Sequence, residues 1–236
     1  MGRLNYLAEL LYPPRCAMCG ELTDAGTEKK CLCDLCRGIW EQEKTAGCPV
    51  CRKDASRCSC TPEYNKSKVA DEYRAVVFYD SDNVKKLIYT IKTRYDEALF
   101  DMAAGEIALL IMKYYKIDAE TVLAYPHRSA ASVRKYGLDH ARLLCRRVSS
   151  LTGLQVFDGI MHRRGAQQKT LSLSQRGGNA AKSYYIPDKY RPGLKNKKII
   201  FIDDVVTTGA TSAVCAALCK AEGAVRFSVF SIARTP

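Results

Sequence analysis

The sequence predicts an α/β protein, with a mostly parallel sheet flanked by helices, preceded by a small cysteine-rich module. Nine of the twelve cysteines lie before Thr61. Beyond Lys68, short runs of strand-forming residues alternate with stretches in which apolar residues recur at helical spacing. The length of 236 residues suits one mid-sized domain with a small appendage. We therefore expect two domains, residues 1–66 and residues 67–236.

The expected elements of the larger domain follow one another as in α/β proteins. Alternation and β-branched residues predict strands over 73–79, 121–125, 199–202 and 225–232. Helical spacing of apolar residues predicts helices over 84–91, 98–115, 140–151 and 211–221. Because strands and helices alternate, the sheet is expected to be mostly parallel.

The N-terminal cysteines have the spacing of metal-binding turns. A C-x2-C turn lets two thiolates reach one Zn²⁺ at about 2.3 Å, and a second pair of thiolates completes the tetrahedron. The count fits two structural Zn²⁺ sites in a double zinc ribbon, with Cys31 left over. The expected ligands are Cys16, Cys19, Cys33 and Cys36 in the first site, and Cys48, Cys51, Cys58 and Cys60 in the second.

Other interpretations of these cysteines use the same residues. An interleaved arrangement, joining the first pair with the third, stays open, although about a dozen residues between the first two pairs is typical of a zinc ribbon and favours sequential grouping. Disulfides are disfavoured because no secretory apolar segment follows Met1, which indicates a reducing compartment. A redox C-x2-C is disfavoured because no βαβ pattern surrounds it.

Charge and hydropathy indicate what kind of partner the protein binds and whether it crosses a membrane. The formal charge is +12, from 37 basic and 25 acidic side chains. Residues 1–68 carry 11 basic and 9 acidic side chains, so most of the excess belongs to the larger domain. This excess predicts polyanionic partners, with single-stranded DNA a candidate. The longest apolar run, 107–112, is far shorter than the roughly 20 residues of a transmembrane helix, so we expect a cytoplasmic protein without membrane insertion.

The residues with the clearest chemistry are 198–211, which read Lys-Ile-Ile-Phe-Ile-Asp-Asp-Val-Val-Thr-Thr-Gly-Ala-Thr. Asp203 and Asp204 follow a buried strand, at the carboxyl edge where α/β sheets bind ligands. Successive backbone N–H groups, threonine hydroxyls and a helix N-terminus would cradle an anion, and Gly209 allows close approach. Two carboxylates suit ribose hydroxyls or Mg²⁺. The run is neither a Walker loop nor a dinucleotide fingerprint.

This run closely resembles the phosphoribosyl pyrophosphate (PRPP) binding motif of type I phosphoribosyltransferases. The resemblance implies that fold for the larger domain and a Mg²⁺-PRPP ligand. It implies ribose hydroxyls near Asp203 and Asp204. It also implies a cradle for the 5-phosphate made of Val206, Thr207, Thr208, Gly209, Ala210 and Thr211.

Further segments, with the cysteine module, resemble the ComF family over essentially the full length. Residues 125–137 are similar to that family's pyrophosphate-side loop, which ends R-x-x-G-F-N-Q, although residues 138–140 read Leu-Asp-His here. Residues 168–179 fit the family's mobile-loop pattern Q-x-x-L-S-x3-R-x2-N. The resemblance implies pyrophosphate contacts by Arg128, Lys169 and Arg176. It also implies catalytic roles for Asp203, Asp204 and Arg134, whereas the roles of Asn-Gln in relatives do not carry over.

The ComF resemblance implies a part in natural competence and in the handling of incoming single-stranded DNA. One hypothesis is a glycosyltransferase, in which an unidentified acceptor displaces pyrophosphate from C1 of PRPP. The other is a non-catalytic adaptor that senses PRPP and binds single-stranded DNA. Candidate partners are therefore PRPP, single-stranded DNA, a protein of the competence machinery, and a second copy of the chain in a homodimer.

Overall fold

The computed structural model describes residues 13–23, 30–61, 69–163 and 183–236. The helices in these ranges are α1 Asp34–Lys44, α2 Asp82–Thr93, α3 Glu97–Tyr114, α4 Ala130–Tyr136, α5 His140–Thr152 and α6 Ala210–Ala221, with a 3-10 helix at Asp188–Leu194. The strands are β1 Glu72–Phe78, β2 Thr121–Ala124, β3 Val156–Phe157, β4 Met161–His162, β5 Tyr184–Tyr185, β6 Lys198–Val206 and β7 Arg226–Arg234. Within these ranges, no helix has both the length and the apolar character needed to cross a membrane.

Five strands form a parallel sheet in the order β1-β7-β6-β2-β3. β2 and β6 are neighbours in the sheet. The connection after β2 leads to β3 on one side, and the connection after β6 leads to β7 on the other side, so the two connections diverge between β2 and β6. Open α/β sheets bind ligands outside the carboxyl ends of the strands at such a switch point. The topology therefore directs the segments after β2 and β6 into one crevice.

Apolar side chains of the sheet alternate between two cores. Ile200 and Ile202 of β6 belong to a core built with α2, α3 and α5, while Ile199 and Phe201 face the opposite core with α6. All four side chains are fully buried. Burial on both faces is why these strands read as continuous apolar runs.

The predicted mostly parallel sheet flanked by helices, with a cysteine-rich N-terminal part, is confirmed. One difference concerns β6, which continues to Val206, so that Asp203 and Asp204 lie within the strand. Another is α4, a helix within residues 125–137, whose resemblance to the pyrophosphate-side loop of the ComF family predicts a loop. Ser129 caps its N-terminus by accepting a hydrogen bond from Ser132 N, and Gly137, at φ 72°, ends it.

The cysteine-rich part packs directly on the helices of the larger domain. Trp40 of α1 is 1% exposed, and its Nε1 donates to Glu106 Oε1 at 3.0 Å. Thr90 Oγ1 of α2 donates to the carbonyl of Ala17 at 2.9 Å. Trp40 and Ala17 belong to the same core cluster as apolar residues of α2 and α3, so the N-terminal part shares a core with these helices. The expected boundary after residue 66 lies outside the described residues.

Candidate functional site

The segment after β6 forms a tight loop that leads into α6. Gly209 has φ 74° and precedes the first residue of the helix. Ser212 Oγ donates to the Gly209 carbonyl at 3.0 Å, and the Tyr73 hydroxyl lies 3.1 Å from Ser212 Oγ. Because a positive φ is strained for residues with a Cβ, glycine is the residue that fits this turn. The loop thus turns its backbone into the N-terminus of a 12-residue helix, an arrangement suited to an anion.

The start of this loop is held from the neighbouring strand. Thr235, directly after β7, donates its backbone N–H to the Val206 carbonyl at 2.9 Å. Its hydroxyl donates to the Thr207 carbonyl at 2.6 Å. Residues 206–211, which we call the phosphate loop, are therefore anchored at Val206 and Thr207 by Thr235, and at Gly209 by Ser212.

The two carboxylates at the end of β6 have different environments. Asp204 is 2% exposed, whereas Asp203 is half-buried. Oδ2 of Asp204 lies 2.9 Å from His140 Nε2 and 3.6 Å from Lys92 Nζ, while its Oδ1 accepts from Val205 N at 2.6 Å. Asp203 Oδ1 accepts from Asp204 N at 2.9 Å. Asp204 is thus the carboxylate that the protein neutralises.

These environments move the two pKa values in opposite directions. Burial alone would raise the pKa of Asp204, but His140 and Lys92 outweigh it and lower the pKa to about 2. Burial and the Asp204 charge raise the pKa of Asp203 well above its ordinary value, with Lys92 opposing them. Two close carboxylates of unequal pKa are common at functional sites.

His140 and Lys92 are site residues that sequence reasoning did not assign. His140 begins α5 and is 6% exposed, and Lys92 lies in the last turn of α2. One ligating atom each of His140, Asp203 and Asp204 lies within 4.8 Å of the others, an arrangement that could hold a cation. Among the described residues, His140 Nδ1 is buried without a hydrogen-bond partner, and Asp204 Oδ2 has its two ion pairs but no well-aligned hydrogen bond. The sequence did contain a clue to the role of His140. Residues 138–140 depart from the family pattern F-N-Q, and this departure places an ionisable histidine where the pattern has the amide of glutamine.

The segment after β2 lies at the same switch point and is braced by side chains. Tyr125 and His127 both contact Asp158 Oδ1, the His127 Nε2 at 2.8 Å. Asp139 caps α5, accepting from Arg142 N at 3.2 Å, and also accepts from Arg128 N at 3.2 Å. The Leu-Asp-His departure therefore includes a residue that joins α5 to this segment.

The cationic residues predicted to contact pyrophosphate differ in their contacts and exposure. Arg128 Nη1 donates to the carbonyls of Lys92 and Leu138 at 3.2 and 3.3 Å, and its guanidinium lies over the Tyr136 ring. Arg134 is exposed in the last turn of α4. Lys169 and Arg176 lie outside the described residues. Arg128 therefore braces the segment after β2 with part of its guanidinium, while Arg134 faces solvent.

The eight predicted zinc ligands fall into two compact groups. Cys16, Cys19, Cys33 and Cys36 form the first cluster, and Cys48, Cys51, Cys58 and Cys60 form the second. Four sulfurs at about 2.3 Å from one Zn²⁺ stand about 3.8 Å apart. The Sγ separations are 3.8 Å for Cys19–Cys33, 4.0 Å for Cys48–Cys60 and 3.4 Å for Cys51–Cys58. The structure therefore groups the cysteines sequentially, and both clusters have the dimensions of a tetrahedral zinc site.

Backbone N–H groups at the metal-binding turns favour thiolates. Burial raises the pKa of Cys48, but the N–H groups of Cys51 and Val50 outweigh it and lower the pKa to about 7. Zn²⁺ binds thiolates, so a sulfur that ionises easily is a suitable ligand. Cys31, the left-over cysteine, is buried with its Sγ 3.5 Å from Met102 Sδ, a packing position in the core.

Comparison with known proteins matches this architecture. No family model matches the chain. A curated relative, competence protein ComFC of Streptococcus pneumoniae (strain ATCC BAA-255 / R6), is 24% identical over 233 residues, which cover 93% of this chain and 100% of the relative. The predicted resemblance to the ComF family is confirmed. Because 93% of the chain is covered, the likeness includes residues of both the cysteine-rich part and the α/β domain.

Two solved structures show a weaker likeness. The glutamine PRPP amidotransferase from B. subtilis complexed with ADP and GMP is 16% identical, with a TM-score of 0.36 over 56% of this chain and 26% of that one. The allosteric regulatory enzyme of purine biosynthesis is 15% identical, with a TM-score of 0.37 over 56% of this chain and 25% of that one. The chain spans about a quarter of each of these proteins. The fold assignment rests on the sheet itself.

Proposed function

We propose that this ComF-like protein binds Mg²⁺-PRPP in the crevice between β2 and β6. We further propose that it transfers the phosphoribosyl group to an acceptor. The observation that carries the proposal is the phosphate loop beside two carboxylates of opposite pKa shift, at the switch point of a parallel sheet. The relative's name, a competence protein, supports a biological role in DNA uptake.

The proposed ligand has three parts, and different residues would bind each of them. The phosphate loop and the N-terminus of α6 would hold the 5-phosphate, where backbone N–H groups and the helix dipole favour an anion. Asp203, the more accessible carboxylate, would accept hydrogen bonds from the ribose hydroxyls. Arg134 and, from outside the described residues, Lys169 and Arg176 would meet the pyrophosphate. The Mg²⁺ would arrive with PRPP. The side chains in this crevice that could contact it are those of His140, Asp203 and Asp204, whose ligand atoms lie within 4.8 Å of one another.

The reaction would break the bond between C1 and the pyrophosphate oxygen, and the electron pair would leave with pyrophosphate. The acceptor would form the new bond to C1 and lose its proton. The ribose becomes cation-like as the bond breaks, so a neighbouring carboxylate and cations near the departing pyrophosphate lower the barrier. Asp204, already paired with Lys92 and His140, would fix the end of β6 while Asp203 contacts the ribose.

The alternative is a non-catalytic adaptor that senses PRPP and binds single-stranded DNA. The formal charge of +12 favours a nucleic-acid partner. Base stacking by tyrosines has less support, because Tyr115 is 7% exposed and Tyr114 lies under Arg74 and Lys113. Tyr89, with 69% of its surface exposed, is the better candidate for contact with a base.

Isothermal titration with Mg²⁺-PRPP tests the binding proposal. Asp203→Asn should weaken binding about tenfold or more, because it replaces one of the two acceptor oxygens of the carboxyl group by an NH2 donor. Asp101→Asn is the matched control, since Asp101 is exposed on α3 and pairs with Arg147. No heat with the wild-type protein, or equal affinity in both variants, would refute the site.

Pyrophosphate release with a panel of nucleobases and amines separates the two functions. An acceptor that accelerates release well above hydrolysis supports the transferase. If PRPP binds but no acceptor accelerates release, the adaptor is favoured. DNA binding measured by fluorescence anisotropy should then weaken steeply with rising salt, because phosphate contacts release counterions.

A further inference from the structure

One buried arginine connects the second cysteine cluster to the sheet. Arg234, the last residue of β7, is 1% exposed. Its Nη2 donates to Cys58 Sγ and its Nη1 donates to the Cys60 carbonyl at 2.8 Å. Its guanidinium also lies 5.8 Å from the centre of the Phe78 ring. The side chain is thus enclosed between the cluster and the edge of the sheet.

Among the described residues, Arg234 forms no ion pair with a carboxylate. Carboxylates such as Glu72 pair with other cations, Arg74 and Arg226. A buried charge without a counterion is costly. Four thiolates around one Zn²⁺ carry a net negative charge, and hydrogen bonds from neighbouring groups to metal-bound sulfur are a common outer-shell contact. The metal-thiolate group is therefore the natural counterion of Arg234. Without the metal, the four cysteines are no longer held around one point, so Arg234 loses the fixed positions of Cys58 Sγ and the Cys60 carbonyl.

The backbone of the same residue borders the phosphate loop. Arg234 is the partner of Val206 in the β6–β7 register, and its carbonyl accepts from Tyr79 N at 2.7 Å. The next residue, Thr235, makes the two hydrogen bonds that hold Val206 and Thr207. The path from Cys58 to the phosphate loop therefore crosses one side chain and one peptide unit.

We propose that Arg234 is a positioning residue through which metal in the second cysteine cluster orders the phosphate loop. Metal loss from this cluster frees Arg234 and loosens the contacts of Thr235, and phosphate-ligand affinity falls. By linkage, a ligand on the loop strengthens metal retention in the second cluster. The identity of that ligand as PRPP rests on the proposed function, whereas the coupling between cluster and loop does not.

The first cluster supplies an internal comparison. Its neighbouring residues contact the helices, through Thr90 to the Ala17 carbonyl and through Trp40 to Glu106. Cys19 of that cluster is exposed. Removing metal from the first cluster should therefore loosen α2 and α3 and leave the phosphate loop unchanged.

Hydrogen exchange measured by mass spectrometry on the full-length chain tests the coupling without any ligand. Peptides covering the phosphate loop, residues 206–211, should exchange about tenfold faster in Arg234→Gln and in Cys51→Ser, which disables the second cluster without removing the sulfur that Arg234 contacts. Arg234→Lys, which keeps the charge, should recover part of the protection. The controls are Cys19→Ser in the first cluster and Arg226→Lys at the other end of β7, where Arg226 pairs with Glu72. Both controls should match the wild-type loop.

The outcomes separate this inference from the proposed function. Unchanged exchange at residues 206–211 after loss of the second-cluster metal, or equal acceleration there by Cys19→Ser, would overturn the coupling. Zinc release to a chelator, followed with and without Mg²⁺-PRPP, reads the same linkage from the metal side. If the wild-type protein does not bind Mg²⁺-PRPP, the proposed function fails, and the exchange result alone decides the role of Arg234. Should Arg234→Gln fail to fold, Cys51→Ser and chelator-treated wild type carry the test.

Discussion

Replacing each carboxylate of the Asp203–Asp204 pair by its amide should change stability in opposite directions. Asp204→Asn removes the charge that faces His140 at 2.9 Å and Lys92 at 3.6 Å. Asp203→Asn removes a carboxylate whose ionised form is destabilised by burial and by the charge of Asp204. The two substitutions are isosteric and adjacent in one strand, so differences between them report charge and not packing.

The magnitude for Asp204 follows from its pKa. A tenfold change in proton affinity is worth about 1.4 kcal/mol. The pKa falls from 3.8 to about 2, so the surroundings stabilise the ionised form by roughly 2–3 kcal/mol. This stability is present above pH 3.8 and is lost as the pH falls towards 2. At pH 7, Asp204→Asn should therefore lower the free energy of unfolding by roughly 2–3 kcal/mol.

The sign is reversed for Asp203. A carboxyl whose folded pKa lies above its unfolded value binds the proton more tightly in the folded chain, so wild-type stability falls as the pH rises above 3.8. Asp203→Asn, which mimics the protonated form, should be more stable than wild type at pH 8. The gap should narrow as the pH is lowered towards 5.

Urea denaturation followed by circular dichroism, in zinc-containing buffer between pH 5 and pH 8, measures both effects. Asp101→Asn again serves as the exposed control and should change little. Two results would refute the reasoning. One is an Asp204→Asn protein as stable as wild type at pH 7, and the other is destabilisation by Asp203→Asn equal to that by Asp204→Asn.

Three further predictions follow from local geometry. Gly209→Ala, at φ 74°, should cost about 1 kcal/mol in unfolding free energy and weaken Mg²⁺-PRPP binding in the same titration; unchanged affinity would contradict the close approach of the loop to phosphate. Metal analysis of protein purified without chelators should find two zinc ions per chain in wild type and one in Cys51→Ser. A single ion in wild type would contradict the prediction that both cysteine clusters bind zinc. Glu106→Gln should lower the unfolding free energy by about 1–3 kcal/mol, because the amide can still accept from buried Trp40 but loses the charge that strengthens this bond and pairs with Lys44. Glu41→Gln, which removes only an exposed contact of Lys44, is the control, and equal loss in both would contradict this assignment.

Features that depend on neighbouring residues in the chain were predictable from the sequence. The C-x2-C turns follow from the reach of two thiolates to one ion, and the strand before Asp203 follows from four consecutive apolar residues. The expected strands and long helices lie within a few residues of those in the structure. Short elements escaped prediction, because α4 and the two-residue strands β3, β4 and β5 have too few residues to display a period.

The amino-acid sequence was sufficient to predict the α/β class, the eight cysteines as candidate ligands, and the loop with its two carboxylates. The sequential grouping of the cysteines, and the neutralisation of Asp204 by His140 and Lys92, became visible in the folded chain. The tertiary structure likewise brought Arg234 to Cys58, 176 positions away along the chain. The physical reason is the difference between local and long-range interactions. A turn or a strand is encoded by its own residues, whereas the charges that set a pKa come from whichever segments the sheet order brings together.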